Sequence, residues 1–398
     1  MKKETYTISH FEFSLPSCEC EVDKIHPSKG IVKHIFHLYP SDDVIRFMYV
    51  SGQGLVGKKS NTSRGSAVLP DMLSIKNGDI KGLQQFLEKY GFFLRLLSNE
   101  SVSVDAEHLF GLINRISATV SLMSALTTTN YNQILSLTMY LLLSPEIHIK
   151  LPDESNPFTS YVSELGYYFS NINEIPECKL HPEPSSGHVG EGYHIVDSIY
   201  PPTSWLSLGD YADATGHGEM NFPTVKDKII YLYRNAISVS SECRLAIDLF
   251  YHIWKNVGEI QTWNHKGELI FKNVNSSAST QSKMRLDENL RVGLNKLAKH
   301  TLKTELEFNL SSVFPSYDTD TMTPSWRIDD LLAGLYLSVF YIQPDIELYR
   351  ICENPKCRRP FLVQTTNERK IYCSQQCSGA MATRMHRLRQ RDSQVSDV

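Results

Sequence analysis

The sequence predicts an α+β protein whose multi-domain body is predominantly helical and whose C-terminus forms a small cysteine-rich module. Three observations lead to this expectation. β-Branched and aromatic runs lie near the N-terminus, apolar residues recur at three- and four-residue intervals through the middle, and two close cysteine pairs lie near the end. A chain of 398 residues is long enough for two or three domains with cores of their own.

Residues 1–70 form the first predicted region, a β-rich segment. The runs TYTISHFEF and DVIRFMYV are bounded by Pro, Ser, Asp and Gly, as strands usually are. The next stretch, VSGQGLVGKKS, satisfies G-x-G-x-x-G with Gly52, Gly54 and Gly57. A nucleotide-binding loop requires a following helix, but NTSRGSAVLPD follows here, so the sequence favours a glycine hairpin or loop.

Residues 71–280 are predicted to form a mainly helical body with a loop-rich stretch near residues 174–223. IKGLQQFLEKYGFFLRLL, AEHLFGLINRISATVSLMSAL and VKDKIIYLYRNAISVSSECRLAIDLFYHIWKNV carry helical periodicity. The loop-rich stretch contains residue types that metallohydrolases use as ligands: His188, Glu191, His194, His217 and Glu219. Their glycine-rich surroundings indicate solvated loop residues, and the chain has no nucleophile elbow, so we expect no enzyme.

Residues 284–346 are predicted to form a helix, a hairpin and a second helix. Leu286, Leu290, Leu294 and Leu297 share one helix face. TELEFNL (residues 304–310) alternates apolar and polar residues, which predicts a half-buried strand. TPSWRIDDLLAGLYLSVFYI (residues 323–342) predicts a buried helix with Pro324 in its first turn.

Charge and hydropathy predict a cytoplasmic protein that does not enter a membrane. The first residues lack the apolar run of a secretory signal, and the most apolar stretch, ILSLTMYLLLS, is too short to span a bilayer. From Cys352 to Arg391, nine Lys and Arg residues and two acidic residues give a balance of +7. Because the whole chain carries −4, the remainder carries −11. This asymmetry favours a polyanionic partner for the C-terminal region.

The two close cysteine pairs predict a structural zinc site. Cys352, Cys357, Cys373 and Cys377 follow the pattern C-x4-C-x15-C-x3-C, and four thiolates suit one tetrahedral Zn²⁺ ion. The other cysteines have no matching pair nearby and are interpreted as buried free thiols: Cys18, Cys20, Cys178 and Cys243.

The module from residue 347 to 392 is predicted to run knuckle, hairpin, helix, which is a treble-clef arrangement. RRPFLVQTTNERKIY between the cysteine pairs is interpreted as the hairpin. In the final helix, Cys377, Met381, Met385 and Leu388 lie on one side, so we expect metal and apolar residues to face one core. Residues 393–398 form a polar tail.

RICENPKCRRPF and YCSQQCSGAMATRMHRLR resemble the CGNR zinc finger of bacterial proteins that carry an ABATE-type domain ahead of it. The elements predicted for residues 284–346 are similar in order to the end of that domain. This chain has Cys377-Ser378-Gly379-Ala380 where the family motif is Cys-Gly-Asn-Arg, and its last cysteines are three apart where four is expected in many members. Metal binding should survive both departures, whereas the role of the family's Asn-Arg pair does not carry over.

The resemblance implies a transcription regulator whose finger binds DNA, and the basic residues support a phosphate-contacting surface. The predicted contacts with nucleic acid, most of all with double-stranded DNA, are Arg358, Arg359, Arg369, Lys370, Arg384, Arg387, Arg389 and Arg391. The N-terminal region would then sense a signal, form a homo-oligomer or bind a protein partner. Two alternatives stay open: a protein-interaction module that docks through the basic finger, and an enzyme that the finger guides to nucleic acid.

Overall fold

The protein is described by a computed structural model that covers residues 9–28, 30–59, 65–96, 101–152, 157–172, 199–200, 224–235, 239–272, 286–319, 322–344, 346–357, 359–367 and 369–395. These residues combine helices and strands. The expected predominance of helix is not confirmed, because two strands of 20 residues each already occupy the N-terminal region.

The chain forms two compact units. The first consists of Met1–Ile116, Ile147–Thr159 and Leu306–Val398, and the second of Ser117–Glu146 and Ser160–Glu305. Both units are therefore assembled from segments distant in sequence. The domain boundaries proposed from the sequence stay predictions.

An antiparallel five-stranded sheet forms the N-terminal part of the first unit. Its strands are β1 (Ser9–Ser28), β2 (Ile31–Val50), β3 (Gly54–Lys59), β4 (Ser66–Ala67) and β5 (Val102–Asp105). The order is β1-β2-β3-β4, and β5 pairs with the first half of β2, from Ile35 to Leu38. Alternate residues such as Phe11, Phe13 and Leu15 are buried, as period-two strands with one core face require.

The glycine motif forms the turn between β2 and β3. Val50 pairs with Gly54, and both Gly52 and Gly54 have φ of +75°, a left-handed conformation that favours glycine. The predicted glycine hairpin is therefore confirmed. The turn leads into strand β3, and the first described helix after it, α1 (Val68–Leu73), begins only beyond strand β4, so no described helix starts directly after the glycines as a phosphate-binding loop requires. The end of NTSRGSAVLPD, from Val68 on, is helical, although the sequence predicted no helix there.

The described residues of the first unit form further helices and strands besides this sheet. They are α1 (Val68–Leu73), α2 (Ile80–Tyr90), the start of α3 (Ala106–Thr128), β6 (His148–Ile149), β7 (Phe158–Thr159), the end of α8 (Glu288–Asn309), β10 (Phe314–Asp318), β11 (Thr323–Arg327), α9 (Leu331–Phe340), β12 (Glu347–Ile351), β13 (Pro360–Gln364) and α10 (Gln375–Val395). Helix α9 packs tightly on the sheet, since a Cβ atom added at Gly334 would lie 2.3 Å from the ring of Phe13.

The second unit is a helical core with one short hairpin. Its elements are the end of α3, α4 (Tyr131–Leu143), α5 (Glu164–Ser170), α6 (Val225–Asn235), α7 (Ser241–Asn256), β8 (Ile260–Trp263), β9 (Leu269–Phe271) and most of α8. Leu137, Leu249 and Leu294, from three different helices, are fully buried in one cluster. Helix α7 begins at a cap in which the Ser240 hydroxyl accepts a hydrogen bond from the backbone of Cys243.

Two sequence interpretations between residues 304 and 342 are wrong. TELEFNL belongs to α8, because the buried face at Leu290, Leu294 and Leu297 continues through Thr301 and Glu305 and the helix simply propagates. TPSWR forms β11, paired with β10, and the helix starts only after Asp330, whose carboxylate accepts a hydrogen bond from Ala333 N at 2.6 Å.

Among the described residues, one helix is long and apolar enough to cross a membrane. This helix is α3, and 67% of its most apolar window is buried inside the protein. Most of this apolar window therefore packs inside the protein.

Candidate metal centre

The first cysteine pair lies in a tight loop between β12 and β13. The N–H of Cys357 donates to the carbonyl of Asn354 at 2.9 Å, and the N–H of Cys352 donates to the carbonyl of Arg359 at 3.0 Å. The Asn354 side chain also accepts a hydrogen bond from Lys356 N at 3.1 Å. These bonds fold the loop into a knuckle that turns both sulfurs to one side.

The second cysteine pair lies at the start of helix α10. Cys373 precedes the helix, and Cys377 occupies its first turn, where its N–H donates to the hydroxyl of Ser374 at 3.3 Å. The N–H of Glu353 donates to the carbonyl of Ile371 at 3.0 Å, which brings this segment alongside the knuckle.

The four sulfurs form one compact group. All of them lie within 4.8 Å of one another, and the Cys357–Cys373 and Cys373–Cys377 separations are both 3.6 Å. Sulfurs at about 2.3 Å from a tetrahedral zinc ion lie about 3.8 Å apart. The four cysteines therefore fit one zinc ion. Because all four ligand positions are protein thiolates, the site suits structural rather than catalytic zinc.

The surroundings of the four sulfurs differ. Cys352 is fully buried with Phe361 and Val363 in a small core, while the other three cysteines are half-buried. A hydrogen bond from the Ser374 hydroxyl lowers the pKa of Cys377 to about 7, whereas burial raises the pKa of Cys373 to about 12. Zinc would supply the positive charge that keeps such a buried thiolate deprotonated.

The hairpin next to the site is not the one that the sequence predicted. β13 pairs with β12, which precedes the first cysteine, so the knuckle is the hairpin loop. Ile371 and Tyr372 were expected to form the partner strand. Leu348 and Tyr349 of β12 supply an equally apolar partner, and the turn between them is the knuckle itself, which sets the register.

The finger packs against the glycine turn of the N-terminal sheet within the same unit. A Cβ atom added at Gly54 would lie 3.4 Å from the Tyr349 hydroxyl, and one at Gly52 would lie 3.9 Å from the Glu347 carboxylate. Burial raises the pKa of Tyr349 well above its usual range. The glycine turn, whose sequence fits the G-x-G-x-x-G pattern, therefore packs against β12.

Helix α10 leaves this core after its second turn. Met381 is half-buried, but the side chain of Met385 is 46% exposed, so the expected single apolar core along the helix is wrong at that position. The side chain of Leu388 lies outside the described residues. The packed part of the finger is too small to cover a helix of 21 residues.

The predicted nucleic-acid contacts fall into different environments. Arg384 and Arg387 are exposed on α10, while the guanidinium of Arg359 pairs with the carboxylate of Asp71. Arg369 and Lys370 line a cavity of about 410 Å³ beside Cys373. Arg358, like the side chains of Arg389 and Arg391, lies outside the described residues.

These features define the class of the module, a small domain built around a four-cysteine zinc site. Residues 349–390 match the family model of the CGNR zinc finger. Comparison of the chain with curated proteins and with solved structures gives no match.

Among the described residues, the four finger cysteines are the only group of three or more metal-ligating side chains that lie close together. The other candidate ligands therefore form no second metal site there. Cys18, Cys20 and Cys243 are buried free thiols, as expected. Cys178, His188, Glu191, His194, His217 and Glu219 lie outside the described residues.

One polar cluster on the sheet was missed by sequence reasoning. His37 contacts Ser103 through Nδ1 at 2.8 Å and Asp23 through Nε2 at 3.3 Å. These residues lie on three adjacent strands, and His37 and Ser103 are direct cross-strand partners. The Asp23 side chain is 72% exposed, which is typical of a solvated surface pair and not of a desolvated catalytic carboxylate. No local sequence signal could have joined them.

Proposed function

We propose that the protein is a zinc-dependent nucleic-acid-binding protein, specifically a DNA-binding transcription regulator. The observation that carries this proposal is the exposed basic surface of helix α10. Arg384 and Arg387 are three residues apart on one helix face, with His386 exposed beside them. The sequence places Arg391 on the same face, one further turn along.

The composition of this helix suits a phosphate backbone. No acidic residue occurs between Gln375 and Arg391, so internal ion pairs within this stretch cannot neutralise the arginines. Arginine binds phosphate oxygens with two parallel N–H groups and can also read guanine edges in the major groove of DNA.

The zinc centre supplies the platform for this helix. We propose a treble-clef arrangement, in which the knuckle, β13 and the first turn of α10 surround one metal ion. The order of these elements and the positions of Cys352 and Cys377 support it. A helix fixed at its first turn by metal loses less conformational entropy on binding than a free basic tail would.

We propose that residues 284–346 correspond to the end of an ABATE-like domain, because α8, the β10–β11 hairpin and α9 follow in that order. We propose a bacterial, cytoplasmic protein without enzymatic activity, whose N-terminal region senses a signal, oligomerises or binds a protein. Reduced thiols at the metal site suit the cytoplasm.

A second candidate function is a protein-docking module. The ion pair between Arg359 and Asp71 favours it, because a finger arginine already binds an acidic group of this chain. In that case the arginines of α10 would bind an acidic protein surface instead of phosphates.

The test is the binding of labelled duplex DNA to the full, zinc-loaded chain across a salt series. The test variant replaces Arg384, Arg387 and Arg391 with alanine. The matched control replaces three exposed lysines outside the finger, Lys24, Lys76 and Lys81, and so removes the same charge. Zinc content is measured in every variant, and single-stranded RNA is run in parallel.

We expect the α10 variant to lose most of the affinity while the lysine control keeps it. The slope of log affinity against log salt should fall by about two to three in the α10 variant, since each lost phosphate contact removes about 0.9. Equal weakening of both variants would indicate nonspecific charge and contradict the proposal. Absence of binding to either polymer at low salt would favour the docking function.

A further inference from the structure

Arg359 connects the zinc knuckle to the N-terminal part of the first unit. Its backbone N–H donates to the sulfur of Cys357, and its carbonyl accepts from the N–H of Cys352 at 3.0 Å. Its guanidinium forms an ion pair with Asp71. One residue therefore contacts both cysteines of the first pair through its backbone and a distant helix through its side chain.

Asp71 is held firmly enough to act as an anchor. Its second carboxylate oxygen accepts hydrogen bonds from Lys89 Nζ at 2.8 Å and from the Tyr90 hydroxyl at 2.6 Å. The helix that carries it, α1, is fixed by the buried side chains of Leu69 and Met72. The side chain of Asp71 is 23% exposed and that of Arg359 is 41% exposed, so the ion pair is partly shielded from solvent on the Asp71 side.

We propose that Asp71 is a positioning residue for the zinc centre. Through its ion pair with Arg359, it holds the knuckle that carries Cys352 and Cys357 in its metal-binding conformation. A metal site binds more tightly when its ligands are already oriented, because less chain entropy is lost on binding. Fixing the Arg359 side chain restricts the backbone groups that hydrogen-bond to Cys352 and Cys357. The effect of Asp71 on zinc thus acts over 288 residues of sequence.

The same coupling must operate in reverse. If the Asp71–Arg359 pair strengthens zinc binding by a given factor, bound zinc strengthens the pair by the same factor. Zinc binding at the C-terminus would therefore also stabilise α1 in the N-terminal region. This inference concerns the metal site alone and does not depend on the binding of nucleic acid.

The experiment measures zinc affinity of the full chain by competition with a chromophoric chelator. The variants are Asp71→Asn, Arg359→Gln and the double substitution. Arg46→Gln is the matched control, because it removes a guanidinium from another ion pair of the same unit, the one with Glu12, and leaves Asp71 and Arg359 untouched. Arg359→Lys tests whether charge alone rescues the effect.

We expect Asp71→Asn and Arg359→Gln each to weaken zinc binding about tenfold, as changes next to metal ligands commonly do. The double variant should be no weaker than either single variant, since both remove one interaction. Arg46→Gln should stay within about twofold of the wild type, and Arg359→Lys should recover part of the loss.

A purely structural role of Asp71 predicts another pattern. Thermal unfolding of the zinc-free chain would then show the full loss of stability, with zinc affinity unchanged. Zinc affinity within twofold of wild type in Arg359→Gln would overturn the proposal, and this variant stays informative even if Asp71→Asn fails to fold. Additive losses in the double variant would also overturn it.

Discussion

The two cysteine pairs of the finger occupy opposite kinds of surroundings. The first pair lies in a hairpin loop that packs on the N-terminal sheet, and its Cys352 is fully buried. The second pair lies at the start of helix α10. Beyond Met381, every described side chain of this helix is exposed. One half of the finger is thus anchored to the protein, and the other half extends into solvent.

This difference separates two tasks within one small module. The anchored half gains its stability from apolar packing and from the Arg359–Asp71 pair, so it can hold ligands in place. The exposed half contributes only its first turn to the metal and leaves its arginines available. A helix that was packed along its whole length could not present them to a large partner.

The largest expected effect is loss of a metal ligand. Cys352→Ser should weaken zinc binding by more than about 100-fold, because a serine hydroxyl or a water molecule is a much weaker fourth ligand than a thiolate and the finger core depends on the metal. Cys243→Ser, which changes a buried thiol in the other unit, should keep stoichiometric zinc. Competition with a chromophoric chelator measures the zinc affinity of both variants, and equal affinities would contradict the assignment.

The next effect concerns the packed half of the finger. Phe361→Ala should lower the free energy of unfolding by about 3 kcal/mol, because it removes a buried ring from the small core beside Cys352. Denaturant unfolding of the zinc-loaded chain measures the change. A loss below about 0.5 kcal/mol, similar to that at an exposed site, would show that this core is not the anchor.

Removal of zinc should change cysteine reactivity selectively. The pKa of Cys377 is about 7, whereas burial raises the pKa of Cys18 and of Cys243 to about 12. At pH 8 a thiol of pKa about 12 is ionised to only about one part in 10⁴, so it reacts slowly with alkylating reagents. Mass spectrometry after brief alkylation should find Cys377 modified with chelator and protected with zinc. Rapid modification of Cys243 under both conditions would contradict this.

The smallest effect is expected on the exposed half. Met385→Gln should change the free energy of unfolding by less than about 0.5 kcal/mol, because nearly half of that side chain already lies in water. Thermal unfolding, run beside Phe361→Ala, compares the two halves directly. A loss as large as that of Phe361→Ala would mean that α10 is packed along its length.

The sequence predicted the metal site because ligand identity and spacing are local properties. Four cysteines in two close pairs suffice to identify it, whatever the pairing of the strands around them. The partner of β13 could not be assigned in this way, since residues on both sides of it are apolar and the choice between them is made by tertiary packing.

Two further features show where local patterns stop being informative. TELEFNL has the alternation of a strand, yet it continues a helix that began at Glu288, because extending an existing helix requires no new nucleation. The pairing of Asp71 with Arg359 joins residues that no spacing rule connects. The glycine motif, in contrast, was interpreted correctly as a hairpin turn, although the segment after it does contain a helix, α1, which begins only beyond β3 and β4.

The division of the finger into an anchored half and an exposed half is tested most directly by hydrogen exchange of the zinc-loaded chain, with and without duplex DNA. In the free protein, amides of β12 and β13 should exchange slowly and those of residues 381–391 quickly. DNA should slow exchange along residues 381–391 and leave the β12–β13 hairpin unchanged. Protection that appears only in the hairpin, or none at all in α10 at saturating DNA, would contradict this account.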